Sequence, residues 1–576
     1  MSRINKNNLS EDQSPYLQQH KKNPVNWQIW SKEVFDIAKK KRMPILLSVG
    51  YASCHWCHVM AHESFENKET AQLMNKYFLN IKVDREERPD IDYIFQSSFQ
   101  LFNQSSGGWP LTMFLDENAI PFMAGTYFPK IPSHGLPSFK EVILKVGETY
   151  KQQREEIIKQ SPIISKSLEL KKSSVLNQDL ENILQNIIVN LDKEKGGYKG
   201  APKFPIFNIY DTLLYFFTKT KNSNYLEPVE LILKQLCSQG IYDHVEGGIS
   251  RYTTDENWLI PHFEKMLYDN VQFVLLISKF LKINKNDYFK RKIIQTIKFM
   301  NKSFLNSEHN LLGSAFDADS DGEEGKYYVF SYNELKDIKD IEQYFDIRPE
   351  GNWENKIILR EIKTPPDSII IKLKELRKKK NKPFFDKKVQ LDLNCFWVSA
   401  LLSAEKILPN NSYLQIAETF YNNLEKLFLS EEKLFHTNSK NSVFLEDYAY
   451  AIAMLLDLSD QTLKPNYLFK AKHLCKKTIE LFYVKEKFIF QKNIISNNDL
   501  FHKPIDISDN NIPNGNSIML LNFSRLGMNN EAKELSDSLN GYLNIYKTLM
   551  ISSLKSIDYF NMIKSNQKCT DIGCII

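Results

Sequence analysis

The sequence has no apolar run approaching the roughly 20 residues that a membrane-spanning helix requires, and its first twenty residues are polar, without the apolar core of an export signal. These two absences lead to the expectation of a cytoplasmic protein with no membrane partner. Charge of one sign is lacking too. The 75 Lys and Arg stand against 70 Asp and Glu, a net of +5, which is too balanced to hold a polyphosphate backbone, so no nucleic-acid partner is expected. Cysteine is sparse: of seven in the chain, an odd number, only Cys54/Cys57 and Cys569/Cys574 are close in sequence. That excludes a secreted disulfide scaffold and leaves two pairs to be judged as redox or metal sites. No repeat of short fixed period is visible, although recurring helix pairs fit a closed ring of hairpins.

What is present divides the chain. At 576 residues it exceeds the roughly 250 to 300 residues at which a single core stops growing. The apolar run Pro44 to Val49 reads as a buried strand ending just before the cysteines. The segment from Cys57 to Tyr77 lacks proline and glycine and reads as helix. Leu79 to Asp84 reads as a strand, Asp90 to Gln100 as a helix, and Leu111 to Leu115 as a strand. Beyond about Gln160 amphipathic segments take over: Leu180 to Leu191, Ile206 to Thr218, Val271 to Leu281, Ile293 to Phe304, Val398 to Ile407 and Tyr448 to Leu458. The expected partition is an α/β domain over 1–165, a helical array over 166–560, and a tail over 561–576 carrying Cys569 and Cys574.

Cys54-His55-Trp56-Cys57 follows a strand and opens a helix. A thiol there faces unpaired N–H groups and the positive end of the helix dipole, which favour thiolate. Cys54 is therefore the expected nucleophile, and Cys57, one turn on, can attack a mixed disulfide formed at Cys54. Trp109-Pro110, ahead of a strand, stands where a cis-proline would face the cysteines. Other readings stay open. Cys-x-x-Cys-His also matches haem attachment, which requires export. Cys54, Cys57, His58 and His62 could hold zinc, or the thiols could be inert. Cys237, Cys395 and Cys475 lie in apolar helical contexts and read as core.

Further motifs make the chain recognisable: Ser14-Pro15-Tyr16-Leu17-Gln18-Gln19-His20, Asn23-Pro24-Val25-Asn26-Trp27, Val83-Asp84-Arg85-Glu86-Glu87-Arg88-Pro89-Asp90, Gly107-Gly108-Trp109-Pro110-Leu111, Pro261 to Asn270, Asp317-Ala318-Asp319-Ser320 and Glu446-Asp447-Tyr448-Ala449. With the cysteine motif they resemble the spermatogenesis-associated type of thioredoxin-domain family. The resemblance implies a thioredoxin-like α/β domain followed by an all-α (α/α)6 toroid of the six-hairpin glycosidase-like class. Where that family has a second Asp after Asp386 and a Trp-Asn-Gly, this chain has Lys387 and Leu393-Asn394-Cys395.

In the helical part, loops collect acids, bases and aromatic rings. The carboxylate candidates are Asp243, Glu246, Glu264, Asp269, Asp317, Asp319 and Asp447, with His244 and His262 as bases. Glycoside hydrolysis uses two carboxyl groups and epimerisation a base. The same side chains could instead cap helices and pair with Arg251, Lys265 and Lys326. Asp317 to Gly325 does not match the ligand order of an EF-hand. The expectation is thus a thiol-disulfide oxidoreductase acting through Cys54, Cys57 and Pro110 on a disulfide-bearing protein or small thiol, without metal or cofactor. The alternatives are a carbohydrate-active toroid binding a sugar, or a scaffold with neither activity.

Overall fold

The computed structural model describes residues 3–133, 135–174, 180–429, 433–497 and 499–564, so Cys569 and Cys574 lie outside the described residues. The chain forms two compact units, one of Met1–Leu170, Ser439–Phe444 and Gln491–Ile505, the other of Lys171–Asn438, Leu445–Phe490 and Asp506–Ile576.

In the first unit, strands β1 (Trp27–Gln28), β2 (Ile45–Gly50), β3 (Leu79–Asp84), β4 (Leu111–Leu115) and β5 (Pro121–Gly125) form one sheet in the order β1-β3-β2-β4-β5. Strands β2 and β3 pair in parallel, Ile45 opposite Leu79 through Gly50 opposite Asp84, and β4 runs antiparallel to β2. All three are buried along their whole length, which is why β2 and β4 read as near-continuous apolar runs. β3 alternates. Leu79, Ile81 and Val83 enter the main core with Ile45, Leu47 and Val49, while Asn80, Lys82 and Asp84 point to the other face and are buried too. The two short edge strands carry little alternation, which hid β1 and β5 from sequence reading.

The expected single helix from Cys57 to Tyr77 is instead a helix His55–Met60, a π-turn Ala61–Phe65 and a second helix Lys68–Tyr77. Asn67 makes the break, because its side chain accepts a hydrogen bond from Thr70 N and starts the new helix. The linear partition also missed that Gln491–Ile505 belongs to this unit. Leu500 and Phe501 pack on its core, Asn493 Nδ2 donates to Asp90 Oδ2 at 2.8 Å, and the Arg88 guanidinium bridges Asp90 and Asp499 at 2.7 Å each.

The second unit is a ring. Helices Phe207–Thr220, Leu267–Leu281, Leu391–Glu405, Leu445–Thr462, Gly515–Leu526 and Ile551–Lys564 each pack on the next, and the last returns to the first. Ser223–Ser238, Asp287–Ser303, Tyr413–Leu424, Pro465–Phe482 and Asn529–Tyr546 back the first five as outer helices. Leu180–Asn190 packs against Ser223–Ser238 and the turn that leads into Ile551–Lys564. This is the (α/α)6 toroid. Ring helices such as Leu267–Leu281 are buried almost all round, as a helix enclosed by neighbours must be.

Three ring helices share a device that short-period comparison could not reveal. Asn270, Asn394 and Asn516, in their first turns, each clasp one residue of a preceding segment. Asn270 accepts from Ile249 N and donates to Ile249 O. Asn394 does the same with Leu312, and Asn516 with Phe490.

Candidate functional site

Strand β2 delivers the chain to Gly50, and Tyr51-Ala52-Ser53 turns it so that Cys54 becomes the N-cap of His55–Met60. Cys54 Sγ accepts a hydrogen bond from Cys57 N at 3.2 Å, so the sulfur stands where the free N–H groups of the helix converge. Cys54 and Cys57 are joined as a disulfide. Both are buried, 3% and 1% exposed, whereas Trp56 between them is 46% exposed and packs against Tyr127. The Trp109-Pro110 peptide is cis. Trp109 Nε1 donates to Asp92 Oδ1 at 2.8 Å, and the Arg85 guanidinium lies 4.0 Å from the Trp109 ring centre.

The face of the sheet beneath the cysteines is polar and buried. A methyl group on Gly50 would collide with the Tyr16 hydroxyl and lie 2.7 Å from Cys57 Sγ, so hydroxyl and sulfur share the space over that glycine. The Tyr16 hydroxyl is buried, with the Ser48 side chain as a polar neighbour. Burial, reinforced by the Asp84 charge, pushes its pKa far up, so it stays a neutral donor. Lys82 Nζ donates to Ser48 Oγ at 3.1 Å and lies 4.7 to 4.9 Å from the ring centres of Phe65, Tyr16 and Trp27. Burial holds its pKa well below the usual range. Of the zinc alternative, His58 Nε2 lies 3.1 Å from Ala52 O and the exposed His62 pairs with Glu66, so the four residues make no ligand group among the described residues.

In the toroid the sequence candidates are spread over several local networks. Asp243 is buried between Lys265 and Arg377. Burial raises its carboxyl, but the two cations outweigh burial and hold it well below the usual range. His244 lies between Glu361, at 3.2 Å, and Gln239 O, at 3.0 Å, and burial with the Lys292 charge depresses its pKa. Glu246 accepts from the Tyr327 hydroxyl, His262 pairs with Glu324, and Glu264 pairs with Arg251. Asp269 is buried in the first turn of Leu267–Leu281. Asp317 accepts from Asp319 N, and Asp319 opens a short hairpin.

Asp447 is different, because two residues missed in the sequence meet it. His436 Nδ1 lies 2.8 Å from Asp447 Oδ1, and Asp392 joins them with ligand-capable atoms all within 4.8 Å of one another. Asp392 and Asp447 sit in the first turns of adjacent ring helices. Burial, with the Asp447 charge adding to it and His436 opposing, pushes the Asp392 carboxyl up to about 7. Nothing in the spacing of Asp392, His436 and Asp447 along the chain links them. The one signal was the shared pattern of Leu followed by Asp or Glu opening both helices, Leu391-Asp392 and Leu445-Glu446.

A family model described as "Protein of unknown function, DUF255", of the thioredoxin-like DsbH type, matches residues 6–169. "Uncharacterized protein B0495.5" of Caenorhabditis elegans is 30% identical over 94% of this chain and 83% of its own length. Spermatogenesis-associated protein 20 of Homo sapiens is 30% identical over 83% of this chain and 70% of its own. Among solved structures, cellobiose 2-epimerase from Bacillus thermoamylovorans is similar at 12% identity and a TM-score of 0.42, covering 64% of this chain and 86% of that one. With a Cys-x-x-Cys α/β unit preceding the ring of hairpins and this likeness running through nearly the whole sequence, the chain belongs to the spermatogenesis-associated protein 20 family.

Proposed function

We propose that the first unit exchanges thiols and disulfides at Cys54 and Cys57. In the reduced protein the Cys54 thiolate attacks one sulfur of a partner disulfide, and the partner's other sulfur leaves as a thiolate that takes a proton from water. Cys57, as thiolate, then attacks Cys54 Sγ and expels the partner's remaining thiolate. Two electrons have passed to the partner, and the Cys54–Cys57 disulfide is left, to be reduced again by a small thiol. The observation that carries this reading is the placement of Cys54 as a helix N-cap with its sulfur on the Cys57 N–H, bonded to Cys57. Trp56 offers the exposed apolar surface on which a partner would rest, and Pro110 would orient the partner's backbone. Cys57 is nearly sealed from water, so its thiolate needs a donor from within the protein, and the Tyr16 hydroxyl, which borders the same glycine, would supply it.

The test is capture of the intermediate. With insulin as the disulfide substrate, Cys57→Ser should accumulate a covalent complex through Cys54, seen on a non-reducing gel and by mass spectrometry, and Cys54→Ser should give neither complex nor turnover. Absence of any adduct with Cys57→Ser at fully reduced Cys54 would refute the reading.

A second reading rests on Asp392, His436 and Asp447: a carboxyl that keeps its proton near pH 7 beside a His–Asp pair is an acid and a base within reach of each other. The toroid would then act on a carbohydrate as an epimerase or glycosidase. Proton NMR of aldoses in D2O tests it: exchange or cleavage lost in Asp392→Asn supports it, and no change in any sugar sinks it.

A further inference from the structure

A cavity of about 290 Å³ lies on the axis of the toroid, lined by side chains from all six ring helices. That is close to the lower end of the size range of small-molecule pockets. Its lining is charged. Asp211 pairs with both Lys279 and Lys555, and Arg525 pairs with Asp457 at 2.9 Å and Asp460 at 2.6 Å. These two networks cancel each other. Lys282 and Lys406 also line the cavity, and among the described residues neither ammonium group has a hydrogen-bond or ion-pair partner. The lining therefore carries an uncompensated double positive charge on these two side chains. They feel each other: burial, together with the charges of Lys406 and Lys279 and against that of Asp457, lowers the pKa of the half-buried Lys282 to about 8. Between the charges the wall offers Gln272, Ser399 and Ser403 as hydrogen-bonding groups and the rings of Phe396 and Tyr450 as flat apolar faces. That combination suits a hydroxylated body of monosaccharide size.

We infer that the axial cavity binds a small hydroxylated molecule through an anionic head group seated between Lys282 and Lys406. Lys282 is half-buried and Lys406 exposed, so the like charge is costly chiefly at Lys282, and an anion between them turns repulsion into two charge-assisted hydrogen bonds. Both lysines stand at C-terminal caps of ring helices, where a cation also offsets the carbonyl end of the helix, so the test must separate binding from capping. The inference does not depend on the thiol chemistry of the first unit or on the acid–base reading of Asp392.

The experiment is isothermal titration of the full chain, at fixed ionic strength, with glucose 6-phosphate, glucuronate, glucose and inorganic phosphate. Saturable binding of glucose 6-phosphate or glucuronate is expected, at least about tenfold tighter than glucose or inorganic phosphate alone, and the tighter of the two identifies the head group as phosphate or carboxylate. Lys282→Gln and Lys406→Gln should each weaken it by about tenfold or more, the loss expected for one charge-assisted bond. Lys356→Gln, at a lysine paired with Glu323, should leave it unchanged. Thermal melts confirm that each variant folds. Failure of all four probes to bind would overturn the inference, as would glucose binding as tightly as the anions. Variants that melt lower while binding is unaltered would leave the two lysines as helix caps and overturn it equally.

Discussion

Replacing Asp392 by Asn should stabilise the toroid, and by an amount that depends on pH in a defined way. The carboxyl has an ordinary value of 3.8 and is pushed up to about 7 by burial and by Asp447. The folded state thus holds the Asp392 proton more tightly than the unfolded chain does. That stabilisation is fully present below pH 3.8 and is lost as pH rises through about 7. A difference of about 3 units at roughly 1.36 kcal/mol each makes the ionised carboxyl cost about 4 kcal/mol above pH 7. Asn cannot ionise and escapes that cost, which is already net of the attraction of His436, so a gain of roughly 2 to 4 kcal/mol is expected at pH 8. At pH 4 the two proteins should differ by less than about 1 kcal/mol. The assay is urea unfolding of wild type and Asp392→Asn between pH 4 and pH 8, following the transition of the helical unit by circular dichroism. An advantage for Asn that grows up to about pH 7 and then levels supports the reasoning. A difference that stays flat across that range, or a variant less stable at pH 8 than wild type, refutes it.

Tyr16→Phe removes the donor proposed for the Cys57 thiolate and should slow release of the mixed disulfide by about tenfold to a hundredfold, the worth of one hydrogen bond to a charged atom. Its pH–rate profile should also shift upward, because the Cys57 thiolate loses support, which stopped-flow tryptophan fluorescence would follow. Asn394→Ala should cost the helical unit about 2 to 4 kcal/mol in urea unfolding, since Leu312, fully buried, would lose partners for both N–H and C=O. Lys82→Met should be no less stable than wild type at pH 7. Burial depresses the folded pKa of Lys82, so its contribution is present above the unfolded value and falls away as pH drops toward the folded one. A thermal melt at pH 6 and pH 9 should show the Met variant gaining more at the lower pH.

The parts of the fold visible in the sequence are those in which burial writes a simple pattern. Strands β2 and β4 are enclosed on both sides and appear as apolar runs, and the expected strands over 44–49, 79–84 and 111–115 fall within a residue of those observed. The ring helices Leu267–Leu281, Leu391–Glu405 and Leu445–Thr462 were located by their apolar middles with their starts placed too late, and Gly515–Leu526 and Ile551–Lys564 were not located. Tyr268, Asp269 and Asn270 are polar yet buried, and Asn270 ties the helix to Ile249 of a preceding segment. The cysteine site was legible because a strand end, two thiols and a helix start are consecutive in the chain. The Asp392 cluster was not, since it exists only where two ring helices come side by side and His436 arrives from a loop. Tyr16 illustrates the same limit: Ser14 to His20 stood out as a motif, but its hydroxyl and the Cys57 sulfur border the same space only because Gly50 has no side chain.

The measurement that bears most directly on the central claim is a redox titration of the Cys54/Cys57 pair in glutathione buffers, read by alkylation and mass spectrometry, with the pH dependence of Cys54 alkylation measured on the reduced protein. The account predicts a potential within the roughly −270 to −120 mV spanned by thioredoxin-fold oxidoreductases and a Cys54 pKa well below about 8.5. A pair that never closes in these buffers, or a Cys54 that titrates as an ordinary thiol, would contradict it.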